Sequence, residues 1–217
     1  HLDGLVQGIH AQHLGAVALG QGHVGAGDGV GRGEITEQDL PSITRMLLEE
    51  NLDLGLMAAN SVTPFDETHV HLLQREEVLF AIPASHPYAK ENPSGPIAWK
   101  DLIRIFEKEN FLLSRRDSSL RVLTDKLFES CRFAPSAMCE TNSVTATCRM
   151  VENGIGVTFL GESCKDSSGP VAYYSLEPKL YRLNLLARRK NWILNPAEEF
   201  LCQLIRSSFP LSGAENS

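Results

Sequence analysis

The stretch from Glu140 to Leu160, ETNSVTATCRMVENGIGVTFL, decides the fold of this chain, because it predicts a strand end, a capped helix, a helix stop and a second strand. Three side chains at the helix start, Thr141, Asn142 and Ser143, can accept hydrogen bonds from the free N–H groups of the first turn. The Asn153-Gly154 pair favours a left-handed helix end, and a β-branched apolar run follows it. The residues that recur at helical spacing between these signals are Val144, Thr147, Cys148 and Val151. We therefore expect a ligand-facing βαβ unit.

A helix that starts with hydroxyl groups beside a strand can bind an anion, because its first N–H groups and the positive end of its dipole point outward. The same hydroxyl groups can instead serve only to cap their own helix. The sequence leaves both interpretations open for Asn142 and Ser143.

The composition argues against several classes of protein. A formal net charge of -7 over 217 residues disfavours a nucleic-acid-binding surface, because phosphate contacts need clustered Lys and Arg. The five cysteines form no CxxC pair and fit reduced thiols. No apolar run approaches the roughly 20 residues needed to cross a bilayer, and no basic and apolar leader opens the chain. The sequence therefore predicts a cytoplasmic protein that does not contact a membrane.

The first 34 residues differ from the rest, since they hold ten of the 17 glycines and four of the seven histidines. Glycine at this density raises the entropy cost of ordering the chain and leaves few side chains to bury, so we expect an irregular arm. The candidate strand or helix pieces within it are residues 6–9 and 14–19. The spacing of the four histidines fits no compact metal site.

From Ile35 onward, strand and helix patterns alternate, which predicts α/β layers with parallel sheets and helices on both faces. Residues 70–83 are extended but interrupted by charges, so two strands meeting at a hinge are expected there. The other predicted strands are residues 52–58, 111–114, 171–174 and 180–188. The predicted helices are residues 39–51, 99–106 and 118–131, and a last helix after Asn195-Pro196 that buries Phe200, Leu201, Leu204 and Ile205.

Four motifs in this order resemble the effector-binding (regulatory) domain of LysR-type transcriptional regulators, over about Ile35 to Phe209. They are LDLGL at 52–56, VLFAIPASHPYA at 78–89, VENGIGVTFL at 151–160 and LNLLARRKNWILNPAEEFLCQL at 183–204. The resemblance implies an α/β, two-lobed fold like a type 2 periplasmic binding protein, with mainly parallel sheets flanked by helices and a ligand cleft between the lobes. It implies an atypical Gly/His-rich arm at 1–34, lobe I at 35–77 and 179–217, and lobe II at 78–178.

The resemblance also implies an effector site, because the position of Ser114 in this family often contacts the effector through a hydroxyl group. Arg115 or Arg116 could clamp a carboxylate bidentately, although both could instead be surface arginines that pair with acidic neighbours such as Asp117. The expected effector is a small anion, a carboxylate or an amino-acid-like metabolite. The candidate effector-binding residues are Ala58, Asn60, Ser114, Arg115, Ser118, Asn142, Ser143, Thr158 and Phe159.

The function implied is a ligand sensor that passes its state to a DNA-binding domain. The winged helix-turn-helix of the family has no match here, so we expect no direct DNA binding by this chain, and a homodimer or tetramer in the full-length protein. The first 34 residues depart from the family pattern, and the change at Glu34-Ile35 is interpreted as a truncated or frameshifted start. The alternative is a solute-binding protein of a transporter, which shares the fold but would carry an export leader.

An enzyme is not expected, because the chain contains no serine elbow, HExxH, phosphate loop or paired carboxylate motif. His69 and His71 share one face of a strand and could bind a metal ion, but a solvated edge strand explains them more simply. We therefore predict no catalytic residue, no cofactor and no metal site.

Overall fold

A computed structural model describes residues 16–20, 34–62, 69–190 and 193–209 of the chain. The chain divides into two compact units. The first unit contains the described residues up to Arg75 and from Leu183 onward, and the second unit is Glu76–Arg182. The predicted piece at residues 6–9 and the four early histidines lie outside the described residues, whereas the piece at 14–19 overlaps a strand at Ala16–Gly20.

The first unit is built on a sheet with the strand order β2-β1-β3-β11, in which every neighbouring pair is antiparallel. Its elements in chain order are β1 (Ala16–Gly20), β2 (Glu34–Gln38), α1 (Leu40–Leu48), β3 (Leu54–Ala59), the start of β4 (Val70–Pro83), the end of β11 (Leu180–Arg188) and α6 (Pro196–Ser208).

Helix α1 forms where the sequence predicts it, because Asp39 caps it and Pro41 lies in its first turn. The Asp39 carboxylate accepts a hydrogen bond from the Ser42 backbone N–H at 2.7 Å. Ile43 and Leu47 are buried and pack with residues on one face of the sheet, namely Met57, Ala59, Leu185 and Ala187. The alternate residues of the same strands, Leu54, Leu56 and Leu186, pack against α6. Helices therefore cover both faces of this sheet.

The buried face of α6 differs from the predicted one. Phe200 is 52% exposed and Leu204 is only partly buried, so the expectation that both are core residues is wrong. The buried stripe consists of Leu201, Cys202, Ile205 and Phe209. This stripe has helical spacing, and Phe200 precedes it by one residue, which rotates its side chain away from the sheet.

The second unit is built on a sheet with the order β4-β8-β6-β7, in which β9 also pairs with β4. Its remaining elements are α2 (Pro87–Glu91), β5 (Ile97–Ala98), α3 (Trp99–Phe106), β6 (Asn110–Leu113), α4 (Ser119–Ser130), β7 (Ser136–Glu140), α5 (Val144–Glu152), β8 (Val157–Gly161), a 3-10 turn (Glu162–Cys164), β9 (Val171–Tyr174) and β10 (Leu176–Glu177). Strands β5 and β10 form a separate two-stranded sheet.

The ladders of the second unit are mixed rather than mainly parallel. Strand β6 runs parallel to both β7 and β8, because helices α4 and α5 return the chain to the same end of the sheet. Strand β4 runs antiparallel to β8 and β9. The α/β fold class with flanking helices is confirmed, with this correction to the strand directions.

The stretch from Glu140 to Leu160 forms the predicted strand end, helix and strand. Ser143 caps α5 through its side chain, and Gly154 adopts a left-handed conformation with φ +71° just after the helix. Strands β7 and β8 do not pair with each other; each pairs with β6, which lies between them. The unit is therefore a crossover around a central strand.

Strand β4 is a single strand of 14 residues, so the expected break at its charged residues is wrong. Glu76 does not interrupt it, because its carboxylate is buried and paired with Arg182 at 2.6 Å. The boundary between the two units nevertheless lies within this strand, between Arg75 and Glu76. Beyond the boundary, β4 enters an aromatic core formed with Phe106, Phe111, Phe128 and Phe159.

Candidate functional site

The carboxyl ends of β6 and β7 lie side by side in the second unit. Leu113 at the end of β6 is in register with Glu140 at the end of β7, and the Thr141 N–H donates to the Leu113 carbonyl at 3.0 Å. From these ends the chain enters α4 and α5 through residues 114–118 and 141–143. Two helix N-termini therefore begin at one edge of the sheet, and each favours negative charge.

Both helix starts are capped by hydroxyl groups. The Ser118 Oγ accepts a hydrogen bond from the Arg121 N–H at 3.0 Å, and the Ser143 Oγ accepts one from the Ala146 N–H at 3.3 Å. Thr141 adds a bond from the Ser143 N–H to its own Oγ1 at 3.1 Å. The capping predicted for Ser143 is confirmed, whereas the cap made by Ser118 was not predicted from the sequence. The predicted contact of both residues with an effector stays a prediction.

Asn142 joins the two loops that precede these helices. Its Oδ1 accepts a hydrogen bond from the Arg115 backbone N–H at 3.0 Å, and its Nδ2 lies 3.5 Å from the Asp117 Oδ1. The Arg115 side chain is 64% exposed and lies 3.5 Å from the Asp117 carboxylate. The Arg116 side chain is also exposed. One amide side chain thus fixes the spacing of the loops, while two guanidinium groups remain accessible.

Arg121 lies beneath this edge and is only 8% exposed. Its Nη1 donates to the Ser114 carbonyl at 3.0 Å and to the Glu140 Oε1 at 2.8 Å, while its Nε donates to the Asp125 Oδ1 at 2.8 Å. The hydrogen bond from Arg121, together with its charge, holds the pKa of the Glu140 carboxyl below its usual range. Burial alone would lower the pKa of Arg121, but the two carboxylates outweigh it and raise that pKa.

Sequence reasoning did not single out Arg121. The one local signal is the Asp125 carboxylate four residues later, an i,i+4 spacing that fits an ion pair on a helix surface. The bonds to Ser114 and Glu140 depend on how the strands and helices meet, so they leave no local pattern in the sequence.

The other candidate residues lie elsewhere. Thr158 is buried in β8, and its Oγ1 donates to the Leu112 carbonyl at 2.7 Å. Phe159 is buried among the aromatic rings of the core of the second unit. Ala58 and Asn60 belong to the first unit, where Ala58 is buried in β3 and Asn60 is exposed just after it. The residues that the second unit brings together are Ser114, Arg115, Ser118, Asn142 and Ser143.

The described residues offer little chemistry for a cofactor. In them, no group of three or more His, Cys, Asp or Glu side chains is arranged to hold a metal ion. All five cysteines are free, and burial raises the pKa of the Cys148 and Cys164 thiols, which disfavours the reactive thiolate. None of the described helices is both long and apolar enough to span a bilayer.

Comparison with known proteins identifies the family. The model of the LysR substrate binding domain matches residues 32–210. An uncharacterized HTH-type transcriptional regulator of Bacillus subtilis (strain 168), YybE, is 28% identical over 162 residues, which cover 73% of this chain and 52% of the relative. The chain therefore spans about half the length of that relative.

Two solved structures resemble the chain at 24% identity. The effector binding domain of QuiR in complex with shikimate has a TM-score of 0.58 and covers 77% of each chain. The reduced form of the OxyR regulatory domain from Pseudomonas aeruginosa has a TM-score of 0.59 and covers 80% of this chain and 79% of its own. These likenesses show the fold, the two-lobed type 2 periplasmic-binding-protein-like architecture predicted from the sequence.

The chain belongs to the LysR substrate binding domain family and is an effector-binding domain of the LysR type. The family consists of ligand-binding domains of transcriptional regulators and not of enzymes.

Proposed function

We propose that this chain senses a small anionic effector, a carboxylate or amino-acid-like metabolite, at the carboxyl ends of β6 and β7. The observation that carries the proposal is the convergence of two capped helix starts, α4 and α5, whose loops are joined by Asn142. Backbone N–H groups and the positive ends of two helix dipoles favour an anion at such an edge.

The side chains around this edge fit the same ligand class. Arg115 and Arg116 are exposed and can bind a carboxylate bidentately, whereas Arg121 is already engaged by two carboxylates. Hydroxyl groups of Ser114, Ser118 and Ser143 can bond to effector oxygens. The QuiR domain, which shares the fold, was solved with shikimate, which is a carboxylate.

In the full-length regulator, we propose that the effector state passes to a DNA-binding domain in a cytoplasmic homodimer or tetramer. Support for the DNA-binding domain comes from the relative in Bacillus subtilis, which is an HTH-type regulator of about twice the matched length. The effector would act by binding one state of the regulator more tightly than the other, since a ligand with equal affinity for both states shifts nothing.

A thermal-shift screen tests the ligand class. The purified chain is melted with shikimate and a panel of small carboxylates and amino acids, each paired with an uncharged analogue. A ligand at 100 times its Kd adds about 2.7 kcal/mol of stability. For a domain of this size, that corresponds to a rise in Tm of about 5–10 °C. A panel in which no anion raises the Tm more than its neutral analogue would overturn the proposal.

Three variants test the position of the site. Arg115→Gln and Asn142→Ala should weaken the shift produced by the best carboxylate. Arg104→Gln serves as the matched control, because Arg104 is an exposed arginine of α3 that pairs with Asp101 on its own helix at 3.0 Å. Equal shifts in all three variants would move the site away from this edge.

A further inference from the structure

We infer that Arg121 is a positioning residue for effector binding, one that holds the ends of β6 and β7 in the geometry required by the proposed anion site. This inference rests on the proposed function. Arg121 contributes to the site without needing to contact the effector, because its guanidinium is buried beneath the edge and already makes three hydrogen bonds.

The three bonds of Arg121 reach three different elements. The Ser114 carbonyl directly follows β6, Glu140 is the last residue of β7, and Asp125 lies one turn further along α4, the helix of Arg121 itself. A guanidinium is a rigid, planar fork of donors, so it fixes the directions of its acceptors as well as their distances. Arg121 therefore connects the carboxyl ends of β6 and β7 to helix α4, which begins after β6.

The loops that carry the candidate ligand groups begin at these fixed points. Ser114 is followed directly by Arg115, whose backbone N–H donates to Asn142, and Glu140 is followed by Thr141, whose N–H donates to Leu113. If the strand ends shift, the bond from the Arg115 N–H to the Asn142 side chain and the bond from the Thr141 N–H to the Leu113 carbonyl should both lengthen. The spacing of the two helix starts would then no longer be fixed.

Arg121 also balances charge at this edge. Glu140 is exposed beside the proposed anion site, and Arg121 is its bonded counter-ion. Without that counter-ion, the Glu140 carboxylate would repel an incoming anion, with a strength reduced by solvent screening. Positioning and neutralisation both predict that loss of Arg121 weakens anion binding, but only positioning predicts disorder in the ligand-free loops.

Amide hydrogen exchange of the ligand-free chain distinguishes these effects and does not depend on knowing the effector. In Arg121→Gln, exchange at the Arg115 and Thr141 amides should accelerate about tenfold or more, the factor expected when a buried charge-assisted hydrogen bond is lost. The reference amide is Ile97, whose N–H donates to the Ser175 carbonyl at 2.8 Å in the separate β5–β10 sheet. Its exchange should change by much less.

Two further variants complete the test. Arg149→Gln is the matched control, because Arg149 makes a 2.7 Å ion pair with Glu152 on the exposed surface of α5 and should leave all three amides unchanged. Arg121→Lys keeps the charge in a similar volume but lacks the fork of donors, so it should show the same selective acceleration at smaller size. If Arg121→Gln does not fold, Arg121→Lys replaces it as the test variant.

Isothermal titration then connects the geometry to binding, with shikimate as the probe together with the carboxylate that gives the largest thermal shift. The Kd should rise about tenfold in Arg121→Gln and stay unchanged in Arg149→Gln. Equal acceleration at Ile97, or unchanged exchange at Arg115 and Thr141, would overturn the inference even if a carboxylate binds. Selective acceleration with an unchanged Kd would also overturn it. If no carboxylate binds, the proposed function fails, and the exchange data still report whether Arg121 orders the strand ends.

Discussion

The ion pair between Glu76 and Arg182 is the most deeply buried charge pair described in the second unit. The Arg182 Nε donates to the Glu76 Oε2 at 2.6 Å, and both side chains are almost fully buried. Ser163 adds hydrogen bonds from its backbone N–H, at 3.0 Å, and from its hydroxyl group to the same carboxylate. Gly161 makes room for the pair, since a Cβ at this position would overlap both charged groups.

Arg182→Met is the informative perturbation, because it removes the cation, keeps an unbranched though shorter apolar side chain, and leaves the Glu76 carboxylate buried. Breaking a buried pair by removing one partner costs about 3–5 kcal/mol, much of it from the stranded charge. The double variant Glu76→Gln/Arg182→Met removes both charges, so it should recover most of that loss at pH 7. The non-additivity of the two substitutions measures the coupling.

The pH dependence of stability should change sign in the variant. Burial alone would raise the pKa of Glu76, but Arg182 and Ser163 outweigh it and hold that pKa below the ordinary value of a glutamate side chain. In the wild-type chain, this group therefore contributes stability above its unfolded pKa and loses it as the pH falls through the lower folded value. Without Arg182, burial dominates and raises the folded pKa above the unfolded one. The variant should then lose stability as the pH rises above about 4.5, the opposite slope.

Urea unfolding followed by fluorescence measures both effects. Trp99 reports on the second unit, where its indole N–H donates to the Pro178 carbonyl at 2.7 Å, and a Trp192→Phe background removes the second tryptophan of the chain. With an m-value of about 2 kcal/mol/M, a loss of about 4 kcal/mol lowers the midpoint by about 2 M urea at pH 7. A midpoint shift below about 0.5 M, or equal losses at pH 4 and pH 7, would refute the reasoning.

Two other substitutions test the local structure around the crossover, each by thermal unfolding followed by circular dichroism. Ser143→Ala removes the side-chain acceptor of the Ala146 N–H, so it should destabilise the protein by about 1 kcal/mol; an unchanged Tm would contradict the capping role. Gly156→Ala places a methyl group against the Asn110 carbonyl oxygen, which the backbone cannot easily move, and should cost about 1–3 kcal/mol. Gly169→Ala is its control, because the nearest atom would lie 3.7 Å from the added Cβ; equal losses at the two glycines would contradict the steric argument.

Much of the secondary structure could be predicted because its signals are local. The start of α1 follows from the Asp39 side chain and Pro41, and helix α4 runs between Ser118 and Cys131 as its apolar spacing indicates. Helix α3, at Trp99–Phe106, matches its predicted bounds. In each case the residues that determine the structure lie within one or two helical turns of one another, so their contacts can be predicted from their spacing in the sequence.

The structural predictions that were wrong depend on contacts between residues that are far apart in the sequence. Arg75-Glu76-Glu77 interrupts the apolar pattern of β4 and therefore predicts a break, yet the strand continues because Glu76 meets Arg182, 106 residues later in the chain. A buried charge is stable only when it is paired, and no local sequence pattern predicts a partner that lies so far away in the sequence. The prediction that Phe200 is buried was wrong for a related reason. The sheet that α6 covers, and not the sequence of α6 alone, determines which face of the helix is buried.

The same distinction separates the two halves of the candidate site. The cap at Ser143 was predicted because it bonds to its own helix, whereas the contacts that set the helices side by side, made by Asn142 and Arg121, cross between elements. Arg121 and Glu140 are charged, and a charged residue considered by itself in a sequence is expected to be exposed to solvent. An anion site built from helix starts needs both kinds of contact, because donors fixed within each helix bind one ligand together only if the helices are fixed relative to each other. Effector affinity should therefore depend as strongly on these cross-element bonds as on the caps themselves.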